Sequence, residues 1–137
     1  MLLFHFITDV PKHWSPKNNN IIRMAGKRLF CGKQQALIND RNYLILQMRQ
    51  AWGGKPSLKE YIHAEFKFYF TNFYTKKGEM NLKLGDLSNI IQHPEDCLTK
   101  AGVILDDAII RSYDGSRKLP SDTGQNYLEV ILRAFDS

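Results

Sequence analysis

Between Lys59 and Thr71 the chain alternates without a break, with Ile62, Ala64, Phe66, Phe68 and Phe70 against His63, Glu65, Lys67, Tyr69 and Thr71. Successive side chains of a strand point to opposite faces, so this period gathers one apolar stripe on one face. A strand of this kind belongs in a sheet, with its even positions against a core. Aromatic side chains can also stack on bases, but phenylalanines at period two are read here as core.

The rest of the chain supplies what that strand needs. Leu2–Thr8 reads as a short first strand, and its start lacks the basic leader and cleavage site of a signal peptide. Pro11–Asn20 reads as a loop, with Asn18, Asn19 and Asn20 either making DNA-backbone or active-site contacts or forming a solvated turn. Ile21–Cys31 suggests a hairpin turning at Ala25-Gly26, with Arg23, Lys27, Arg28 and Lys33 gathered around it. Such a hairpin suits phosphates, and equally a charged edge that discourages aggregation. Lys33 to Trp52 reads as a helix with apolar positions Leu37, Tyr43, Leu44, Met48, Ala51 and Trp52, stopped by Gly53-Gly54-Lys55-Pro56. Ala108–Tyr113 and Asn126–Phe135 read as strands, the second with Leu128, Val130 and Leu132 on one side, and Asp114–Gly124 as a turn-rich loop. Arg111 is a further basic residue that can face DNA. The expected architecture is a single α+β domain over residues 1–137, with a mixed sheet and about two helices.

A net charge of +5 and a pI near 9.2 favour an anionic partner, nucleic acid before membrane surface. No apolar run approaches the roughly 20 residues of a membrane helix. Cys31 and Cys97 stand far apart, which fits a reduced, cytoplasmic protein and suggests neither a zinc site nor a disulfide framework. Neither a phosphate-cradling G-x-x-x-x-G-K-[ST] nor a G-x-S-x-G occurs.

The chemistry is concentrated in Lys83–Ile110. Asp86 and the pair Asp106-Asp107 bracket a helical run with apolar residues at Leu87, Ile90, Ile91, Cys97, Leu98 and Ala101. Gly102 is placed to end that run in the left-handed region, and Val103, Ile104 and Leu105 lead to the acidic pair. Pro94 inside the run predicts that the helix begins or kinks there. Carboxylates brought together from both ends of a helix need a cation, and hard oxygen ligands suit magnesium. Lys76, Lys77 and Lys83 run into this stretch and can hold the phosphates beside a metal.

These residues resemble the signature of the RusA family of Holliday-junction resolvases. Asp86, Leu87 and Asn89, then Leu98 to Gly102, then Leu105, Asp106 and Asp107 carry the likeness, over about a fifth of the chain. The resemblance implies a RusA-like fold and a homodimeric endodeoxyribonuclease that resolves four-way junctions in recombination and repair. It implies a phage or prophage origin and a cytoplasmic place, in a bacterial host or associated with the nucleoid. It also implies magnesium, with manganese as a substitute, at Asp86 and Asp107, with Asp106 beside them. Two positions depart from the family pattern: Ser88 stands where a second carboxylate belongs, and Gln92 where a lysine does. Ser88 has two readings, a metal ligand through its hydroxyl or a water, and a helix-start residue. Glu95 is a candidate replacement carboxylate, although two turns, roughly 10 Å of helix, separate it from Ser88. His93 reads as a loop histidine, with general acid as its alternative role.

Two further readings compete with the nuclease. One is a branched-DNA binder whose catalytic site has decayed. The other sets nucleic acid aside and has Asp106 and Asp107 simply cap a turn.

Overall fold

The computed structural model describes residues 1–9 and 31–135, with side chains described for 1–9 and 38–135. The expected hairpin with Arg23, Lys27 and Arg28, and the asparagine loop before it, lie outside the described residues. In chain order the elements are β1 (Leu2–Asp9), α1 (Cys31–Trp52), β2 (Ile62–Phe70), α2 (Leu87–Lys100), a 3-10 turn (Asp107–Ile109), β3 (Ile110–Ser112), β4 (Arg117–Pro120) and β5 (Tyr127–Ala134).

The alternating strand is the centre of the sheet. On one side β2 pairs antiparallel with β5, Phe66 opposite Val130, and β5 pairs antiparallel with β1, Phe6 opposite Val130. On the other side β2 pairs in parallel with β3 and, further along, with β4, Phe68 opposite Lys118. The result is a mixed five-stranded sheet in the order β1-β5-β2-β3, with β4 also on β2. With two α-helices among the described residues, this is an α+β domain. β4 corrects the expectation of a plain loop over Asp114–Gly124.

Phe4, Phe6, Ile62, Ala64, Phe66, Phe68, Leu128, Val130 and Leu132 face a single core. From α1 the core receives Leu44, Met48 and Trp52, and from α2 Ile90, Ile91, Cys97 and Leu98. Trp52 is core, its ring edge-on to Phe4 at 5.7 Å and its indole N–H donating to the Lys55 carbonyl. Tyr43 and Ala51 are exposed instead, so the apolar face of α1 is narrower than its sequence suggested. Burial pushes the Cys97 thiol up to about 12, so it stays protonated as a small core residue.

Helix α2 runs through Pro94 rather than starting there. The proline ring is fully buried, so its packing offsets the one backbone bond it removes. His93 is accordingly a half-buried helical residue, not a loop one. At the far end Gly102 has φ +80 and donates to the Thr99 carbonyl, while Val103 donates to Leu98, both at 3.1 Å. This is a Schellman closure, and the buried Val103 and Leu98 supply its hydrophobic contact.

Gly115, at φ +91, serves a different purpose. A Cβ there would stand 2.8 Å from Cδ of Glu65. Glu65 cannot swing aside freely, because Arg133 holds it at 2.9 Å and Lys67 at 3.1 Å. Burial pushes the Glu65 carboxyl towards a higher pKa, but these two cations outweigh it and keep the carboxyl below its usual range. At Gly102 the nearest atom to an added Cβ is Ser57 Oγ, 3.9 Å away. Gly102→Ala is therefore expected to cost only the left-handed strain, about 1–2 kcal/mol. Gly115→Ala adds overpacking of about 1 kcal/mol or more. Urea denaturation of both variants checks the order, and equal losses would remove the steric argument at Gly115.

Candidate nucleic-acid and metal site

The site grows from the two ends of α2. Asp86 is the residue before its first turn, and its backbone carbonyl accepts from the N–H groups of Asn89 and Ile90, both at 3.0 Å. Aspartate at such a position usually caps the helix with its side chain. Here no side-chain capping bond forms, and Asp86 is exposed. Ser88, Asn89 and Gln92 are exposed on the same first turns.

At the other end, the chain leaves the Gly102 closure and pairs with Leu58, which donates to Val103 and accepts from Leu105, each at 2.9 Å. This pairing fixes where the acidic pair emerges. Asp106 then caps the 3-10 turn, its carboxylate accepting from the Ala108 N–H at 3.0 Å. That N–H, followed by the neighbouring Asp107 carboxyl, holds Asp106 below the usual carboxylate range. The turn-capping reading thus describes Asp106, whereas Asp107 is an exposed residue of the turn's first position.

Tyr113 ties the segment after β3 to α2. Its hydroxyl donates to Glu95 Oε2 at 2.6 Å, and its ring leans on Phe66 at 6.3 Å. Burial, then Glu95, then the Asp107 charge push the Tyr113 phenol well above its ordinary value. Asp86 lies nine residues before Glu95, about 13 Å along a straight helix, too far for these two carboxylates to share one ion. Among the described residues no three His, Cys, Asp or Glu side chains gather as a metal-ligand group.

Basic groups approach from two directions. Lys118 on β4, half-buried, donates to the Gly85 carbonyl at 2.9 Å, which fixes the backbone just before Asp86. Lys83 is exposed three residues before Asp86, its N–H bound to Asn81 Oδ1 at 2.9 Å. Lys76 and Lys77 are exposed at the tip of the 72–83 loop. Arg111 does not reach outward alone: its guanidinium lies 4.9 Å from the Tyr61 ring centre and 5.3 Å from that of Phe135. The sequence did not point to Lys118 or Tyr113, and only pairing of β4 and β3 with β2 would have placed them.

The chain matches no protein-family model and no curated protein sequence. Among the described residues no helix is long and apolar enough to cross a membrane.

Proposed function

We propose that this chain is a magnesium-dependent endodeoxyribonuclease that resolves four-way junctions and other branched DNA, working as a homodimer. The observation that carries the reading is Asp86, an exposed carboxylate at a helix start that does no capping, in a backbone held by Lys118 through the preceding Gly85 carbonyl. Asp86, Asp107 and Ser88 are exposed hard-oxygen groups, which suit magnesium. That ion commonly takes only one or two protein carboxylates, the remaining positions going to water and phosphate oxygens. Bound there, it supplies positive charge to the phosphate under attack and acidity to the attacking water. Asp106 positions Asp107 by capping its turn, and Tyr113 holds Glu95 on α2 through its hydroxyl. Lys118, Lys83, Lys76 and Lys77 offer charge to the phosphates on either side of the cut. A two-fold dimer would present two such sites, as two symmetric nicks require. Selectivity would follow junction shape and charge more than base sequence.

A second reading, binding of branched DNA without cutting, draws on Ser88 and Gln92, which leave one carboxylate and one lysine out of the family pattern. The test is a labelled synthetic four-way junction in magnesium and in manganese, with linear duplex beside it. Paired nicks on the junction alone support the nuclease. Binding without nicks in either metal eliminates it and leaves the binder. Ser88→Asp then asks whether a restored carboxylate starts cutting.

A further inference from the structure

Residues 72–83, between β2 and α2, form a braced finger. Tyr74 and Met80 face each other in an antiparallel bridge. Thr75 donates to the Glu79 carbonyl at 2.7 Å, Gly78 to Thr75 at 2.9 Å, and Asn81 to Phe73 at 3.0 Å. Gly78 takes φ +81, which lets the tip close over Lys76 and Lys77. At the foot, the Asn81 side chain donates to the Asn72 carbonyl and accepts from the Lys83 N–H, both at 2.9 Å. The Tyr74 ring is set edge-on against Phe73 at 5.0 Å.

This finger presents large apolar side chains to solvent: Tyr74 is 55% exposed, Met80 64% and Leu82 88%. Single exposed apolar residues need no explanation, but three on one short, hydrogen-bonded projection do. Directly opposed residues of an antiparallel pair point to the same side, so Tyr74 and Met80 make one apolar patch. Lysines frame it, Lys76 and Lys77 at the tip and Lys83 at the foot, and Glu79 is the only carboxylate between Asn72 and Leu84. Apolar surface inside a cationic frame is complementary to nucleic acid whose base faces are accessible. A continuous duplex hides those faces by stacking, whereas a branch point interrupts the stack.

We propose that the finger is a wedge: Tyr74 and Met80 stack on the base pair exposed at a DNA branch point while Lys76 and Lys77 hold the phosphates of the flanking strands. The proposal rests on the branched-DNA reading above and adds how a branch is told from a linear duplex. It assigns the discrimination to stacking, and the general affinity to the lysines.

The experiment measures binding of the full chain to a synthetic four-way junction and to a linear duplex of the same arm sequence, in calcium so that cutting does not intervene. Tyr74→Ala with Met80→Ala is expected to weaken junction binding about tenfold, the scale of one lost base–aromatic stack, with duplex binding within about twofold of the original. Tyr74→Phe keeps the ring and is expected to keep junction affinity. Lys76→Ala with Lys77→Ala should weaken both substrates and flatten the salt dependence. Equal loss on both substrates by the Tyr74 and Met80 variant, or no loss, overturns the wedge while leaving the branched-DNA reading in place. An original protein with no preference for the junction overturns both. A sedimentation shift from dimer to monomer in the Tyr74 and Met80 variant would make the patch an interface between copies and also overturn the wedge.

Discussion

Asp86→Asn and Asp107→Asn are each expected to slow magnesium-dependent cutting of a four-way junction by roughly a hundredfold or more. Charge stabilisation by a bound metal is worth several kcal/mol in a phosphoryl transition state, and each 1.4 kcal/mol is about tenfold in rate. Asparagine is nearly the same size as aspartate but offers a neutral oxygen, so it weakens a hard-cation site without opening a cavity. Both positions are exposed, and the Asp86 side chain makes no capping bond, so folding stability should change little. Asp106→Asn is the internal control. Its amide oxygen can still accept from the Ala108 N–H, so the turn that carries Asp107 should persist and most activity with it. Single-turnover cutting rates, read beside thermal unfolding of each variant, separate the roles. Equal losses at Asp106 and Asp107 would contradict the division between positioning and metal binding. Unchanged rates at Asp86 would remove the residue on which the proposed function rests.

What could be read from the sequence follows from the range over which each signal acts. β2 and β5 were legible because side-chain alternation is a local property, visible in eight or nine residues. β4 was not: Arg117-Lys118-Leu119-Pro120 has little apolar character, and what makes it a strand is backbone pairing with β2. Helix α2 was legible from its spacing, and Gly102 marked its end. Pro94 misled, because the sequence shows the lost backbone bond but not the buried place that accepts the ring. The same division holds at the site. Asp86 and Asp107 are recognisable along the chain, flanking one helix. Lys118 and Tyr113 act through partners 33 and 18 residues away, which only the folded sheet brings near.

Phe66→Ala is expected to destabilise the domain by about 3–5 kcal/mol, the usual range for emptying a buried aromatic site. That is a large part of the roughly 5–15 kcal/mol that holds a domain of this kind together. Phe66 is among the largest fully buried side chains, and it lies on the central strand opposite Val130, with β5 on one side and the β3–β4 edge on the other. Neighbours fixed by sheet pairing on both sides cannot collapse far into the space, which puts the expected loss in the upper half of that range. Phe66→Leu keeps much of the volume and should cost less than about 1.5 kcal/mol. The backbone of Phe66 should be unaffected in either variant, since its N–H donates to Ser116 Oγ at 2.9 Å whatever the side chain. Tyr113 should be affected, because its ring rests on Phe66 while its hydroxyl holds Glu95. The alanine variant is therefore expected to lose cutting rate even at temperatures where it remains folded, and the leucine variant to keep it. Urea denaturation with an unchanged m-value, followed by cutting assays well below the unfolding midpoint, measures both effects. A stability loss below about 1 kcal/mol in Phe66→Ala, far short of the expected range, would mean that the sheet and helices relax around this position. Full activity in the folded alanine variant would mean that Tyr113 keeps Glu95 in place without the support of the core.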